Sequence, residues 1–389
     1  MKINHVPPFI PLNQFVFALL AILVIPGSAM AAPPTPEWLP EAPSLPPPEG
    51  QVIEVDTVEG FFEAVEEVEP GGTILLADGH YLMPRYIEIR TDDVTLRSAS
   101  GDRDAAVLDG AESRHGELLG VTDCSGVTVA DITLRNVTHN ALKLNTNHDV
   151  QDVTVHNCVF HNVWQRGVKS VRAPETSSRN GEIRYSLFYN DRPKEFSDDP
   201  TDTADTFDGD YVGAIDLMDA VGWRIHHNAF VDIEGRTGQG RGAIFIWQDS
   251  RDCVIEHNVI IDCDGGLSLG NAHKPDDVEW HCEDFVARDN WITRAPMGAI
   301  TAVYTRDSVI ERNRIYDPEN RWRRSIRVVF DNPGLTIVEN IIAGYPIGVE
   351  EEDDVTLERN AADAGAGWFR DPETGDLSLT EEGREAVGE

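Results

Sequence analysis

Lysine is scarce in this chain, and one of the few stands between two arginines. Beyond residue 31 there are four lysines, Lys143, Lys169, Lys194 and Lys274, in a protein with 68 Asp and Glu and a formal net charge of −36. In the segment QRGVKSVRA, Lys169 stands between Arg166 and Arg172. Like charges depress one another's pKa, so a lysine placed this way is available as a general base near neutral pH. Arginines, with or without a cation, can neutralise a substrate carboxylate. Those two functions together are what proton abstraction next to a carboxylate requires, the first step of β-elimination on a uronic-acid polymer. Lys169 or Lys143 would be the base, with Arg166, Arg172 and Asp216 completing the catalytic set. The bland reading of the same residues is a salt-bridge network in which Asp216 and nearby acids neutralise the cations.

Other residue types offer other chemistry. Asp216 with a second carboxylate, Asp210 or Asp249, would suit glycoside hydrolysis if the two lay about 5–9.5 Å apart. The segment Asn190 to Tyr211, NDRPKEFSDDPTDTADTFDGDY, is an oxygen-rich insertion. It reads either as a Ca²⁺ site with Asp208 and Asp210 as ligands or as a solvated acidic loop, and its spacing matches no EF-hand. Phe245 and Trp247 alternate along one strand and point outward, so they would stack on a sugar face or pack under the insertion. With Arg241 and His139 they form the candidate substrate contacts. His148, His226, His227, His257 and His273 are scattered over turns and second strands and read as structural.

The elements that must position these residues repeat. GAIFIWQDSRDCVIEHNVI (Gly242 to Ile260) is a strand, a turn and a second strand ending Ile255-x-x-Asn258-x-Ile260. That ending recurs at Asn228, Asn290, Asn313, Asn340 and Asn360, about 20–32 residues apart, a solenoid period. Alternation with period two indicates strands, and one such coil cannot bury its inner face unless neighbours stack on it. Asparagines at one place in successive coils can hydrogen-bond as a ladder. The fold class is therefore all-β, a parallel β-helix of about ten coils.

Aligned coils give an outward column Lys143, Lys169, Asp216, Phe245, Ser268, Thr301, Arg327, Glu350, with neighbours about 4.8 Å apart. Beside it runs a column of small residues, Ala141, Gly167, Ala214, Ala243, Gly266, Ala299, Ser325 and Gly348, which reads as a tight corner, as a flat groove floor, or as both at once.

The ends are of different character. Phe15 to Ile25 is a short apolar run and Ala29-Met30-Ala31 a small-x-small cleavage pattern, so residues 1–31 read as a signal peptide, with an uncleaved anchor as the alternative. Residues 32–50 are a proline-dense linker, 51–380 the solenoid and 381–389 an acidic tail. Thr57 or Asp56 caps a helix with Phe61, Phe62, Val65 and Val68 on one face, which would plug the open end. Of five cysteines, Cys158 falls at a ladder position and reads as a buried small residue, while Cys253 and Cys282 could pair. The acidity argues against nucleic acid or anionic membrane as partners and suits solubility in salt.

The segment Pro70 to Tyr81 (PGGTILLADGHY), the I-x-x-N-x-I coils and the ending Phe369-Arg-Asp371-Pro372-x-x-Gly375-Asp376-Leu377-x-Leu379 resemble the secreted right-handed parallel β-helix proteins of the pectate-lyase-like superfamily. The resemblance covers roughly residues 52–380. It implies right-handed coiling and a secreted or periplasmic, monomeric carbohydrate-active protein: a polysaccharide lyase, a glycoside hydrolase or a non-catalytic carbohydrate-binding protein. The paired aspartates of polygalacturonase-type hydrolases are absent, as are recognisable signatures of the pectate, alginate and dermatan lyase branches.

Overall fold

The computed structural model describes residues 40–173, 175–350 and 354–388. The signal-peptide reading of residues 1–31 and the first part of the linker lie outside them. Three long parallel sheets make up the fold, of twelve, ten and ten strands, and each coil contributes one strand to each. The first runs from Val52–Val55 to Thr356–Glu358, the second from Gly79–Leu82 to Ile341–Gly344, and the third from Ile87–Ile89 to Ile347–Val349. A five-stranded corner sheet, Ser178–Arg179 to Thr305–Arg306, follows the third. This is a parallel β-helix.

Its core is built from matching positions. Ile225, Ile255, Ala287 and Ile310 are register partners on the first sheet and have no exposure. On the second sheet Phe160, Phe188 and Phe230 stack face to face, with ring centroids 4.4 and 4.9 Å apart. Offset-stacked rings at this spacing add to the burial of apolar area.

The corner between the first and second sheets is the most regular. One residue in the left-handed region, such as His227 (φ 56°), His257 (54°) or Asp289 (55°), turns the chain. The ladder residue follows. Asn258 Oδ1 accepts from the backbone N–H and the amide of Asn228, at 3.1 and 3.0 Å, and the pattern repeats through Asn290, Asn313, Asn340 and Asn360. Ser186 continues it downward, bonding the N–H of Cys158, which is fully buried as expected. After the second sheet the chain turns at Asn162, Asp232 and Asp262, all with positive φ, whereas Asn190 and Asp317 at the same place are buried with ordinary φ.

Both ends are closed. Helix α1 (Val58–Glu67) is capped by Thr57, whose hydroxyl accepts from Gly60 N at 3.1 Å, and buries Phe61, Ala64 and Val65. At the far end the hairpin Phe369–Asp371 with Asp376–Leu379 packs on Ile341 and Ala343, and the expected acidic tail is helix α2 (Glu381–Val387), capped by Thr380. Residues 40–48 lie against the flank, where the carbonyls of Pro43 and Pro46 are bonded to His156 and Arg97. All five cysteines are free and buried. Cys253 and Cys282 do not pair because the register sets Cys282 beside Ser250, and each thiol donates instead to a carbonyl, Ala220 O and Ile246 O.

The small-residue column is the inner corner and not a groove floor: Ala141, Ala243, Ala299 and Ser325 have no exposure. A Cβ at Gly266 would come within 2.2 Å of Ala299 O, which is why the position tolerates nothing larger.

Replacing Asn290 by leucine takes the side-chain partner from Asn258 N–H and from Ile255 O, while Asn258 Nδ2 keeps Ile225 O and Asn313 Oδ1 keeps the N–H of residue 290. At about 1–3 kcal/mol per unsatisfied buried group, partly relieved by relaxation, the loss should exceed about 3 kcal/mol. Urea denaturation of Asn290→Leu beside Asn360→Leu, at the half-buried end of the ladder, should show the first costing distinctly more.

Candidate active site on the third sheet

The column deduced from the repeats exists. Register partners on the third sheet are Lys143 with Lys169, Lys169 with Asp216, Asp216 with Phe245, Phe245 with Ser268, Ser268 with Thr301, and Thr301 with Arg327. The last step is corrected: Arg327 pairs with Gly348, so Glu350 is two residues out of frame, although its carboxylate still reaches Arg327 at 3.5 Å. Toward the N-terminus the column continues through Gly120 and Glu88.

Three of the five expected catalytic residues converge. Asp216 Oδ2 lies 2.8 Å from both Arg166 Nε and Lys169 Nζ, and its Oδ1 accepts from Trp247 Nε1 at 3.1 Å. The cluster is buried, with Arg166 and Asp216 each 1 % exposed and Lys169 6 %. Its members point away from the core yet cover one another, because outward neighbours one coil apart touch directly. The ring of Tyr211, at the end of the insertion, closes over the Arg166 guanidinium at 4.1 Å.

The cluster holds two cations to one anion. Burial alone would raise the Asp216 carboxyl, but Lys169 and Arg166 outweigh it and hold it below the usual range. For Lys169 burial dominates, and against the pull of Asp216 it lowers the ammonium to about 8, with Arg166 and Lys143 pushing the same way. The ammonium is buried with Asp216, at 2.8 Å, as the carboxylate it faces.

The remaining candidates are placed differently. Lys143 sits one coil away, with Glu117 Oε1 at 3.6 Å. Arg172 is outside the cluster, drawn to Asp249 (2.6 Å) and Asp277 (2.8 Å). Phe245 and Trp247 are not an open platform: they stack on each other at 4.9 Å, Phe245 is 3 % exposed, and the indole N–H is spent on Asp216. Arg241 covers Phe245 at 5.3 Å from the ring centroid, is itself exposed, and has no carboxylate at ion-pair distance among the described residues. His139 faces Asp199 across 3.5 Å and so ties its strand to the insertion.

Most of the insertion is exposed, but it is organised around an internal cation. Lys194, fully buried, reaches Asp199 Oδ2 (3.1 Å), Asp202 Oδ2 (2.8 Å) and Tyr211 O (3.1 Å). An internal ammonium therefore occupies the centre of the acidic segment. The expected ligands Asp208 and Asp210 are engaged by Arg236 and by Thr237, and among the described residues no three His, Cys, Asp or Glu side chains are grouped to hold a metal ion. The residues present do not fit calcium. Of the two candidate partners for Asp216 in a hydrolase pair, Asp210 is bonded by Thr237 and Asp249 is paired with Arg172.

Sequence reasoning passed over Lys194, Tyr211 and Trp322. Lys194 carried a signal, a lone lysine inside a run of aspartates. Trp322 stands 49 % exposed beyond the far end of the column.

The fold is shared with solved structures of low identity. A mannuronic-acid-specific lyase of polysaccharide lyase family 6 from human gut microbiota superposes with a TM-score of 0.53 at 17 % identity, covering 79 % of this chain and 66 % of its own. The family 6 alginate lyase AlyGC gives 0.51 at 14 %, covering 84 % of this chain and 42 % of its own. The chain thus spans less than two thirds of either, and at these identities the likeness is one of fold. No protein-family model matches the chain, and no curated protein matches it in sequence.

Replacing Asp216 by asparagine strands two buried cations, which typically costs about 3–5 kcal/mol. Denaturant titration should show a loss of that order. Lysine side-chain NMR should give a midpoint near 8 for Lys169 in the wild type and a lower one in Asp216→Asn, because the only attraction holding the proton has gone.

Proposed function

We propose that this β-helix is an exported, monomeric polysaccharide lyase that cleaves a uronic-acid-containing polymer by β-elimination, with Lys169 as the base. The observation that supports it above all is a buried lysine held near 8 on the outward face of the third sheet, with an exposed arginine on the same face that has no carboxylate at ion-pair distance among the described residues. Arg241 would receive the substrate carboxylate, which withdraws charge from the adjacent C5 and acidifies its proton. Lys169 Nζ takes that proton. The electron pair left behind forms C4=C5, the C4–O bond breaks, and the leaving oxygen takes a proton from a nearby donor, for which the Tyr211 hydroxyl is the candidate. Once neutral, Lys169 is no longer drawn down to Asp216, so its amine is free to rotate outward.

Arg166 and Asp216 are positioning residues in this scheme. Arg166 keeps Asp216 ionised, and Asp216 keeps Lys169 from losing its proton permanently. The lowering of Lys169 fixes the direction of the pH dependence: the base form is scarce below about 8 and prevalent above it, so turnover should rise as pH increases through that value and level off beyond it.

A panel of uronate polysaccharides followed by ultraviolet absorbance of the new C=C and by reducing ends tests the reaction class. Lys169→Met should lower turnover by about 100-fold or more, while Lys143→Met, which removes a more exposed charge, should cost less. Reducing ends without absorbance would make the protein a hydrolase. A larger loss at Lys143 than at Lys169 would move the base one coil down, and silence at both would reduce the cluster to a structural ion network.

A further inference from the structure

Beyond Phe245 the third sheet opens into a trough whose lining departs from the rest of the molecule. Its base is the continuing column, Ser268, Thr301 and Arg327, and Arg241 stands at its near end. No Asp or Glu is among its lining residues, although the chain has 68. Its two charged lining groups are both arginines. In a protein of net charge −36, a surface strip that excludes acids and presents arginines at both ends is complementary to a polyanion and to little else.

The far wall is aromatic and rigid. Trp322 is 49 % exposed and Phe330 39 %, large apolar groups that cost free energy in water unless something covers them. Trp322 is not on a loose loop. The buried Asn320 accepts from Trp322 N and Arg324 N, each at 3.0 Å, and donates to Asp317 at 2.8 Å, while Arg321 reaches back to Thr237 O. Phe330 is backed by Tyr304, stacked at 4.9 Å. Arg327 lies over the Trp322 ring at 4.6 Å, and its acidic neighbour Glu350 is distant (3.5 Å) and well exposed, so that pair is weak and displaceable.

We infer that this trough binds the polymer on one side of the cleavage point: a run of uronate sugars with one carboxylate on Arg241 and another on Arg327, the hydroxyls of Ser268 and Thr301 beneath, and a ring face against Trp322. Arg241 and Arg327 belong to coils three steps apart, about 14 Å along the stack, which is a span of several sugar rings and not one. The inference rests on the reading of a uronate polymer as substrate. It adds that affinity depends on chain length and that the bound chain runs toward the C-terminal end of the solenoid.

The test is calorimetric and does not require turnover. Hexa- and trisaccharides of alginate and of polygalacturonate, with cellohexaose as an uncharged control, are titrated into the full chain in the Lys169→Met background so that no probe is cleaved. A uronate hexasaccharide should bind, cellohexaose should not, and Arg327→Ala and Trp322→Ala should each weaken hexasaccharide binding by about 10-fold, as loss of one charge-assisted contact or one stacked ring implies. Trisaccharide binding at Arg241 should change less than about 2-fold. Arg327→Ala should also flatten the salt dependence, which Trp322→Ala should leave alone. Hexasaccharide binding untouched by either substitution overturns the trough, whether or not ultraviolet assays find a lyase, and so does a protein that binds neither uronate probe. Loss of hexasaccharide binding in both variants, with no ultraviolet-absorbing product from any polymer, would keep the trough and sink the lyase.

Discussion

A parallel stack with a repeat of about 4.8 Å gives each side chain near neighbours at the same position one coil above and one coil below. This one constraint governs both faces of the wall. Inside, it lines up Phe160, Phe188 and Phe230 as stacked rings and Asn258, Asn290, Asn313 and Asn340 as a ladder in which each amide satisfies the backbone of the next. Outside, it forces Lys143, Lys169 and Asp216 into one column, where a charge cannot avoid its neighbours. Burial of Lys169 and Asp216 is a consequence, since side chains this close cover each other before any loop arrives.

Column membership was legible in the sequence because period-two alternation and the Asn spacing set a frame that one slipped residue would invert. Lys143 through Arg327 were placed correctly on that basis alone. Glu350 was not, since the last coil closes through Pro346 with a shorter run, and nothing in Val349-Glu350 marks the change of register. Cover was not legible either. Alternation shows that Phe245 and Trp247 face out, but not that Trp247 would spend its N–H on Asp216 and Arg241 would lie on Phe245. Arg172, three residues past Lys169, was grouped with it by proximity in sequence; the chain turns there and carries the guanidinium to Asp249 and Asp277.

The acidic insertion shows how composition misleads when counter-charges are counted by type and not by place. Seven aspartates suggest a cation site, and there is a cation, but it is Lys194. A buried ammonium satisfied by two carboxylates and a carbonyl fixes the segment as a folded wall. From that wall Tyr211 leans over Arg166, and through Asp199 it touches His139. Lys194, which has no reaction assigned to it, thus helps position the cover of Lys169, which has one.

The place of the site on the third sheet follows from the other corners. Between the first and second sheets the connection is two residues in all eight coils from Thr128–Ala130 to Thr336–Val338, one of them in the left-handed region and, from Cys158 onward, one on the ladder or its extension. An insertion there would break the ladder, at the cost of several unsatisfied amides. Among the coils that carry the ladder, length variation is therefore confined to the corners that flank the third sheet: Leu187–Tyr189 to Gly213–Met218, Ala229–Val231 to Gly242–Trp247 and Arg314–Asp317 to Ile326–Val329 on one side, Leu267–Leu269 to Cys282–Glu283 on the other. Loops rising on both margins of one flat sheet make a channel parallel to the stack. A rigid ladder on the far corner and a walled channel on this face are two results of the same rule, that a coil can vary only where its neighbours do not depend on it.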